Sequence, residues 1–356
     1  MRISGFAVLV AASTASAAQY IIYHDEWHNE ALPTKEQLAG VTEVVLAYAP
    51  SDVFVNGTDY TPFRSVADER AMFNDPVKVT MGVGGGAGFS TALASDESRK
   101  SFVNNVATTA RNLGFDSVAL VWKEVGGRGE EEKKFEVEGY PKLLADLKES
   151  LGDMKLTITV SGSPHQMTAF TKETCPEIAK SITGNIHVPA YGMGDPNTGL
   201  SNHLSSVEDS KIAIDNYINC GFDAKLLVAG MPSFAHSAEL EGQCEGPLNC
   251  KLADPEGKDE GKTSDVTFEI ANFNGTTEAD KAMENGKADN EKGGQWWINP
   301  ETNRLWTWDT PEFIGRKCNE IVKEKNLAGL FGWSMGEDSR DGSHIQAWQD
   351  CFKSLN

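Results

Sequence analysis

Lys123 and Glu124 stand side by side at the end of an apolar run, 117–122, an amine and a carboxyl of the kinds that can move protons. A proton donor needs a pKa near the working pH, which a carboxylic acid tuned upward can meet and an ammonium of about 10.4 does not easily meet. Side chains alternate along a strand. If Lys123 faces inward, Ala119 and Val121 share its side, while Leu120, Trp122 and Glu124 face outward. A bulge at Trp122-Lys123 is the one local device that would turn Glu124 inward. Two other patterns suggest ligands only superficially. The acidic stretch 254–261 lacks the alternating Asp/Asn ligands and closing Glu of a calcium loop, so it reads as a solvated loop. Gly82-Val-Gly-Gly-Gly86 follows an apolar run but lacks the spacing of a phosphate-binding loop. No metal and no cofactor is expected.

The elements that must position these residues are legible as short apolar runs, each followed by a turn and a stretch of helical period. The runs are 20–23, 44–49, 77–83, 117–123, 155–160, 185–191, 225–231 and 328–334. Between them, Tyr140, Leu143, Leu144, Leu147 and Leu151, or Phe102, Val106, Ala110 and Leu113, recur every three or four residues and align on one helix face. Eight strand–helix alternations predict an α/β fold, a closed (β/α)8 TIM barrel, with its chemistry at the C-terminal ends of the strands. From about 237 to 303 the composition shifts to Gly, Asp, Glu, Lys and Asn, which predicts a small insertion between strands seven and eight. Trp296, Trp297, Trp306 and Trp308 are expected to pack inside that flap rather than line a cleft.

Lys plus Arg total 32 against 52 for Asp plus Glu, a net charge of −20, which excludes a nucleic-acid binder held by phosphate contacts. Arg2, the apolar run 6–12 and the Ala15-Ser-Ala17 pattern read as a signal peptide over 1–18, leaving 19–356 as the mature barrel. No later run is long enough to span a bilayer, so a released, extracellular monomer is expected. The 6 cysteines suit disulfides in such a compartment. Their connectivity is open to about 15 arrangements; neighbour-wise pairing is the expectation, Cys175 with Cys220, Cys244 with Cys250 and Cys318 with Cys351. Asn56-Gly-Thr58 and Asn274-Gly-Thr276 are glycosylation sequons.

Several motifs in order carry a resemblance. Gly114-Phe-Asp-Ser-Val-Ala-Leu-Val-Trp-Lys-Glu-Val-Gly-Gly127 resembles the signature GFDGxDxDWEYPGG of family 18 glycoside hydrolases, the chitinase family. Val79-Thr-Met-Gly-Val-Gly-Gly85 is similar to its SxGG strand, and His187-Val-Pro-Ala-Tyr191-Gly192 to its MxYD segment. The segment 305–311 and Gly329-Leu-Phe-Gly-Trp333-Ser-Met-Gly-Glu-Asp338 look like the last helix entry and the eighth strand. A gapless alignment puts Ala119 and Val121 at the two family Asp positions and Lys123 at the catalytic Glu, so no acidic catalytic position is intact. In the family the substrate's N-acetyl oxygen attacks its own anomeric carbon while the Glu protonates the leaving oxygen and the middle Asp orients the acetamido group. Gly82 replaces the Ser of SxGG and Gly192 the Asp of MxYD.

The resemblance leaves the sugar-binding parts. Tyr191 has a counterpart that donates to the acetamido carbonyl, and Trp333 one that forms the floor under the central sugar; Tyr48 lies on the second strand. Lys123 is expected either in the cleft or paired with a carboxylate, Glu337, and both belong to the candidate ligand site. His165 and His236 follow strands five and seven. Together these imply a chitinase-like protein that binds chitin or N-acetylglucosamine oligomers without cutting them. Two rivals remain open: a weak or altered hydrolase using Glu124, and a protein-binding or inhibitor module on a dead fold.

Overall fold

The computed structural model describes residues 17–57, 60–127, 133–269, 272–339 and 341–356. Eight strands form a closed parallel barrel: β1 (Gln19–Asp25), β2 (Glu43–Pro50), β3 (Lys78–Gly84), β4 (Ser117–Val121), β5 (Lys155–Thr159), β6 (Ile186–Pro189) and β7 (Leu227–Pro232) precede a second sheet, and the eighth follows it. That second sheet comprises β8 (Phe234–Glu239), β9 (Thr263–Thr267), β10 (Lys287–Asp289), β11 (Gly294–Asn299) and β12 (Arg304–Trp308), antiparallel in the order β10-β11-β12-β8-β9. The barrel closes when β13 (Gly329–Trp333) pairs with β1 and β7, aligning Leu330 with Tyr20 and with Ala229.

Each of the eight predicted apolar runs coincides with a barrel strand, with a shorter end at six of them. The fourth stops at Val121 because Trp122 turns outward to stack on Phe89, with ring centroids 5.0 Å apart, and meets Tyr140 edge-on at 5.8 Å. Glu136 then fixes the following turn, accepting the Gly126 amide at 3.0 Å and facing Lys133 at 3.3 Å. The sixth spans only Ile186–Pro189, and the seventh begins at Leu227, since Asp223 caps a short 3-10 turn over Ala224–Leu226. Helices cover the outside. The helix Asp96–Leu113 starts where Ser95 accepts the Ser98 amide and ends at Gly114, whose φ of 77° suits a residue without Cβ. Lys134–Leu151 buries Tyr140, Leu143, Leu144, Leu147 and Leu151 against the barrel.

The second sheet is wider than its composition suggested, running from Phe234 to Trp308. Its flanking strands β8 and β12 pair directly, Trp306 opposite Ser237, and the polar bias lies in the segment between them, with β9 and β10 included. Trp297, Trp306 and Trp308 pack with Phe268 into its core, and Lys287 lies 5.1 Å over Trp296. Disulfides join Cys175 to Cys220, Cys244 to Cys250 and Cys318 to Cys351. Asn56 and Asn274 are exposed; Thr58 and residues 1–16, most of the expected signal peptide, lie outside the described residues. Among the described residues no helix is long and apolar enough to cross a membrane.

The barrel interior holds Ile21, Tyr23, Val45, Ala47, Ala119, Val228 and Phe331, the packed layers that fill such barrels. His187 stands among them, its Nδ1 2.7 Å from Tyr23 Oη, which reaches Thr159 Oγ1 at 2.8 Å. Burial pushes its pKa down from 6.5 to about 3. The sign follows from linkage: the unfolded imidazole takes a proton below about 6.5 while the folded one refuses it, so stability is full above that pH and falls as the pH drops toward 3. Between pH 7 and pH 4 this group should remove roughly 3 kcal/mol. Denaturant unfolding of the native chain and of His187→Asn, whose amide can replace Nδ1 opposite Tyr23, should show a shallower acid limb in the variant; identical limbs would refute it.

Candidate functional site

A cleft of about 1040 Å³ opens at the C-terminal ends of the barrel strands, between the barrel and the second sheet. Lys123 follows β4, Ser161 and Gly162 follow β5, Tyr191 follows β6, and Trp333 ends β13, and all of them line it. The parity argument holds for Lys123: its Nζ lies over the Trp333 ring, 6.0 Å from the centroid, a cation–π contact. Solvent reaches the side chain through the cleft mouth, yet the surrounding walls desolvate the ammonium and lower its pKa, with Glu124 and Asp265 opposing that shift.

The expected pairing of Lys123 with Glu337 is corrected. Glu337 is 4% exposed and stands behind the cleft floor, where its Oε1 accepts the Trp333 indole N–H at 3.1 Å. It positions the indole instead of meeting the amine, and burial, then the nearby Asp25, raises its pKa to about 8. A carboxyl able to hold a proton near neutrality therefore exists, but it sits at the indole N–H edge of the ring and is not among the groups that line the cleft. Glu124 is half-buried, with Gln166 Nε2 3.4 Å from its Oε1, and Gln166 itself lines the cleft.

Tyr48 stacks on Trp333, with centroids 5.7 Å apart and planes 24° from parallel. The glycines of β3 make this possible. A Cβ on Gly82 would come 2.7 Å from Leu46 O and 3.2 Å from Tyr48 Cδ1, and one on Gly84 would come 2.9 Å from Tyr48 Cγ. These glycines seat an aromatic ring, which is why the run lacks phosphate-loop spacing. Ala119 is fully buried on the same inner face and Val121 is 7% exposed, so neither inward position carries a polar group. Tyr191 meets Phe234 edge-on at 5.8 Å. Gly192 sits in a left-handed turn, φ 65°, with open space where a side chain would go.

Both histidines left open by the sequence line the cleft. His236 Nδ1 pairs with Asp265 Oδ1 at 2.7 Å, both from the second sheet, and His165 Nε2 faces Asp195 Oδ2 at 3.4 Å. A side cavity of about 450 Å³ continues past His165 and Asp195. Trp27 was missed. It is 60% exposed just beyond β1 and meets Tyr48 at 6.4 Å, extending the row Trp27, Tyr48, Trp333 outward. The rule that barrel chemistry gathers after each strand would have found it, since Asp25-Glu-Trp27-His28 ends the first one. An aromatic row with amine, imidazole and carboxylate groups around it can grip a sugar by its apolar face and hydrogen-bond its rim.

Known proteins place the chain. A "chitinase-like effector" from Moniliophthora roreri is 21% identical over 92% of this chain and 92% of its own length. Among solved structures, catalytic domain 2 of the Ostrinia furnacalis Group II chitinase superposes with a TM-score of 0.75 at 17% identity, covering 95% of this chain and 97% of that one. The Cycas revoluta GH18 chitinase in complex with (GlcNAc)3 gives 0.73 at 20%, covering 94% and 100%. The model of "Glycosyl hydrolases family 18" matches residues 19–338, and the chain belongs to that family.

Proposed function

We propose that this protein is secreted, acts as a monomer, and binds chitin or its oligosaccharides without hydrolysing them, holding fragments in the cleft. The observation that carries this reading is Lys123. An amine lies over the floor aromatic at the position where the family signature has its proton-donating Glu, and Ala119 and Val121 supply no acid beside it. Desolvation lowers the pKa of Lys123, but the protonated amine would set a positive charge beside the oxocarbenium-like centre, and the neutral amine is a base with no acidic proton for the leaving oxygen. Calorimetry with N-acetylglucosamine tetramers to hexamers should give saturable heat, with no release of product from a fluorogenic chitobioside. No heat and no retention on chitin beads would remove the reading. Trp333→Ala should weaken oligomer binding about 30- to 100-fold, the scale of losing a central aromatic anchor. An unchanged affinity would mean that the floor is elsewhere.

One observation favours a second reading, a weak hydrolase working through Glu124. Gln166 lines the cleft and reaches Glu124, so that carboxyl stands one side chain away from it. Equal background rates for the native chain and Glu124→Gln dispose of it. Glycans on Asn56 and Asn274, both exposed, would appear as a mass loss after enzymatic deglycosylation of the secreted product.

A further inference from the structure

Behind the cleft floor, three residues far apart in sequence converge where β1 and β13 end. Asp25, His28 and Glu337 each bring one ligand-type atom, and these lie within 4.8 Å of one another. His28 Nδ1 is 2.8 Å from Asp25 Oδ1 and 3.6 Å from Glu337 Oε1. Asp25 is fully buried and Glu337 nearly so, and among the described residues neither forms an ion pair with a Lys or Arg. Two neighbouring buried carboxyls cannot both hold their charge without a compensating cation or proton. Glu337 Oε2, moreover, is buried with no hydrogen-bond partner, leaving an acceptor unused in the cluster.

We propose that Asp25, His28 and Glu337 form a divalent-cation site of zinc type behind Trp333. Tetrahedral zinc with bonds of about 2.0–2.1 Å spaces its ligands roughly 3.3–3.4 Å apart, and the separations of His28 Nδ1 from the two carboxylates, 2.8 and 3.6 Å, bracket that value. One imidazole and two carboxylates are a borderline-hard set that zinc accepts. The surroundings already aim the ligands. The Trp27 and His28 amides donate to Asp25 Oδ1 at 2.9 and 3.0 Å, and the Ser334 hydroxyl donates to Oδ2. With Nδ1 on the ion, the imidazole keeps its proton on Nε2, which faces Glu269 Oε2 at 3.9 Å, a span that a water or a small side-chain shift closes. A carboxylate behind a metal-bound imidazole is the usual outer partner. His28 is 24% exposed at its side chain, which gives an entry path and room for a water as the fourth ligand. Because Glu337 also holds the Trp333 indole, the ion would brace the cleft floor.

The test uses the full secreted chain without an affinity tag, stripped with a chelator and titrated with zinc chloride alone. Calorimetry together with elemental analysis should find one zinc per chain, micromolar or tighter. His28→Gln and Glu337→Gln should each weaken it at least 10-fold, and Glu269→Gln about 10-fold. His28 is partly exposed, so its variant should keep the native circular dichroism and remains informative if Glu337→Gln fails to fold. Absence of saturable zinc binding, or equal affinity in the native chain and His28→Gln, overturns the site and leaves a proton as what neutralises the carboxyl pair.

Discussion

A chain carrying Ala119→Asp, Val121→Asp and Lys123→Glu together should hydrolyse a fluorogenic chitobioside about 10²- to 10⁴-fold above the native background, the usual worth of a placed general acid. The barrel geometry says why all three changes are needed. Lys123→Glu alone restores a proton donor over Trp333 but leaves the acetamido group with no carboxylate to orient it, so it should give little. Val121 pairs in register with Thr159, whose hydroxyl meets Tyr23, so a carboxyl at 121 finds hydroxyl groups beside it. Ala119 pairs with Gly82, which offers no side chain, but Tyr48 leans into that space. The first Asp therefore carries the packing cost, and its single variant should lower the unfolding midpoint more than the other two. If the triple variant folds, binds oligosaccharide and still cuts nothing, the cleft does not seat the acetamido group as the family does. Gly192→Asp is the next addition, since a side chain there meets open space.

What the sequence disclosed, and what it hid, divides along range of interaction. The eight apolar runs and the helix faces between them are local, and each recurs as an element with its ends moved by a few residues, as where Trp122 turns outward. The alternation that sent Trp122 into the helical layer and Lys123 toward the cleft is local as well. The family motifs then supplied Tyr191 and Trp333, both on the cleft wall. Contacts across the barrel mouth were not legible. Glu337 follows Trp333 by four residues, and spacing alone could not tell a cleft-facing carboxyl from one folded behind the ring. Asp25 and His28 meet Glu337 only because barrel closure sets β1 beside β13. Asp265 enters the cleft on a sheet whose strands had no individual signal, since their alternation is short and interrupted by polar loops.

Lys317→Met should cost about 3–5 kcal/mol, the penalty for stripping one partner from a buried ion pair. Lys317 ends the helix Pro311–Lys317, 1% exposed, and its Nζ donates to Asp309 Oδ2 at 2.5 Å, to Ser205 O at 2.7 Å and to the Ser205 hydroxyl. Asp309 follows β12, and Ser205 lies in the loop after β6, so one amine ties the second sheet, a barrel loop and the outer helix layer together. Desolvation lowers the pKa of Lys317, and the charge and hydrogen bond of Asp309 oppose that shift. Without the amine, Asp309 keeps a buried carboxylate whose Oδ1 already has no hydrogen-bond partner. Lys317→Met with Asp309→Leu should regain most of the loss, because an apolar pair of similar volume removes both desolvation costs. Equilibrium unfolding in denaturant reads both variants. A single variant within about 1 kcal/mol of native would mean that the pair contributes no more than an exposed one, and a double variant as weak as the single would assign the loss to packing at the helix end instead of to charge.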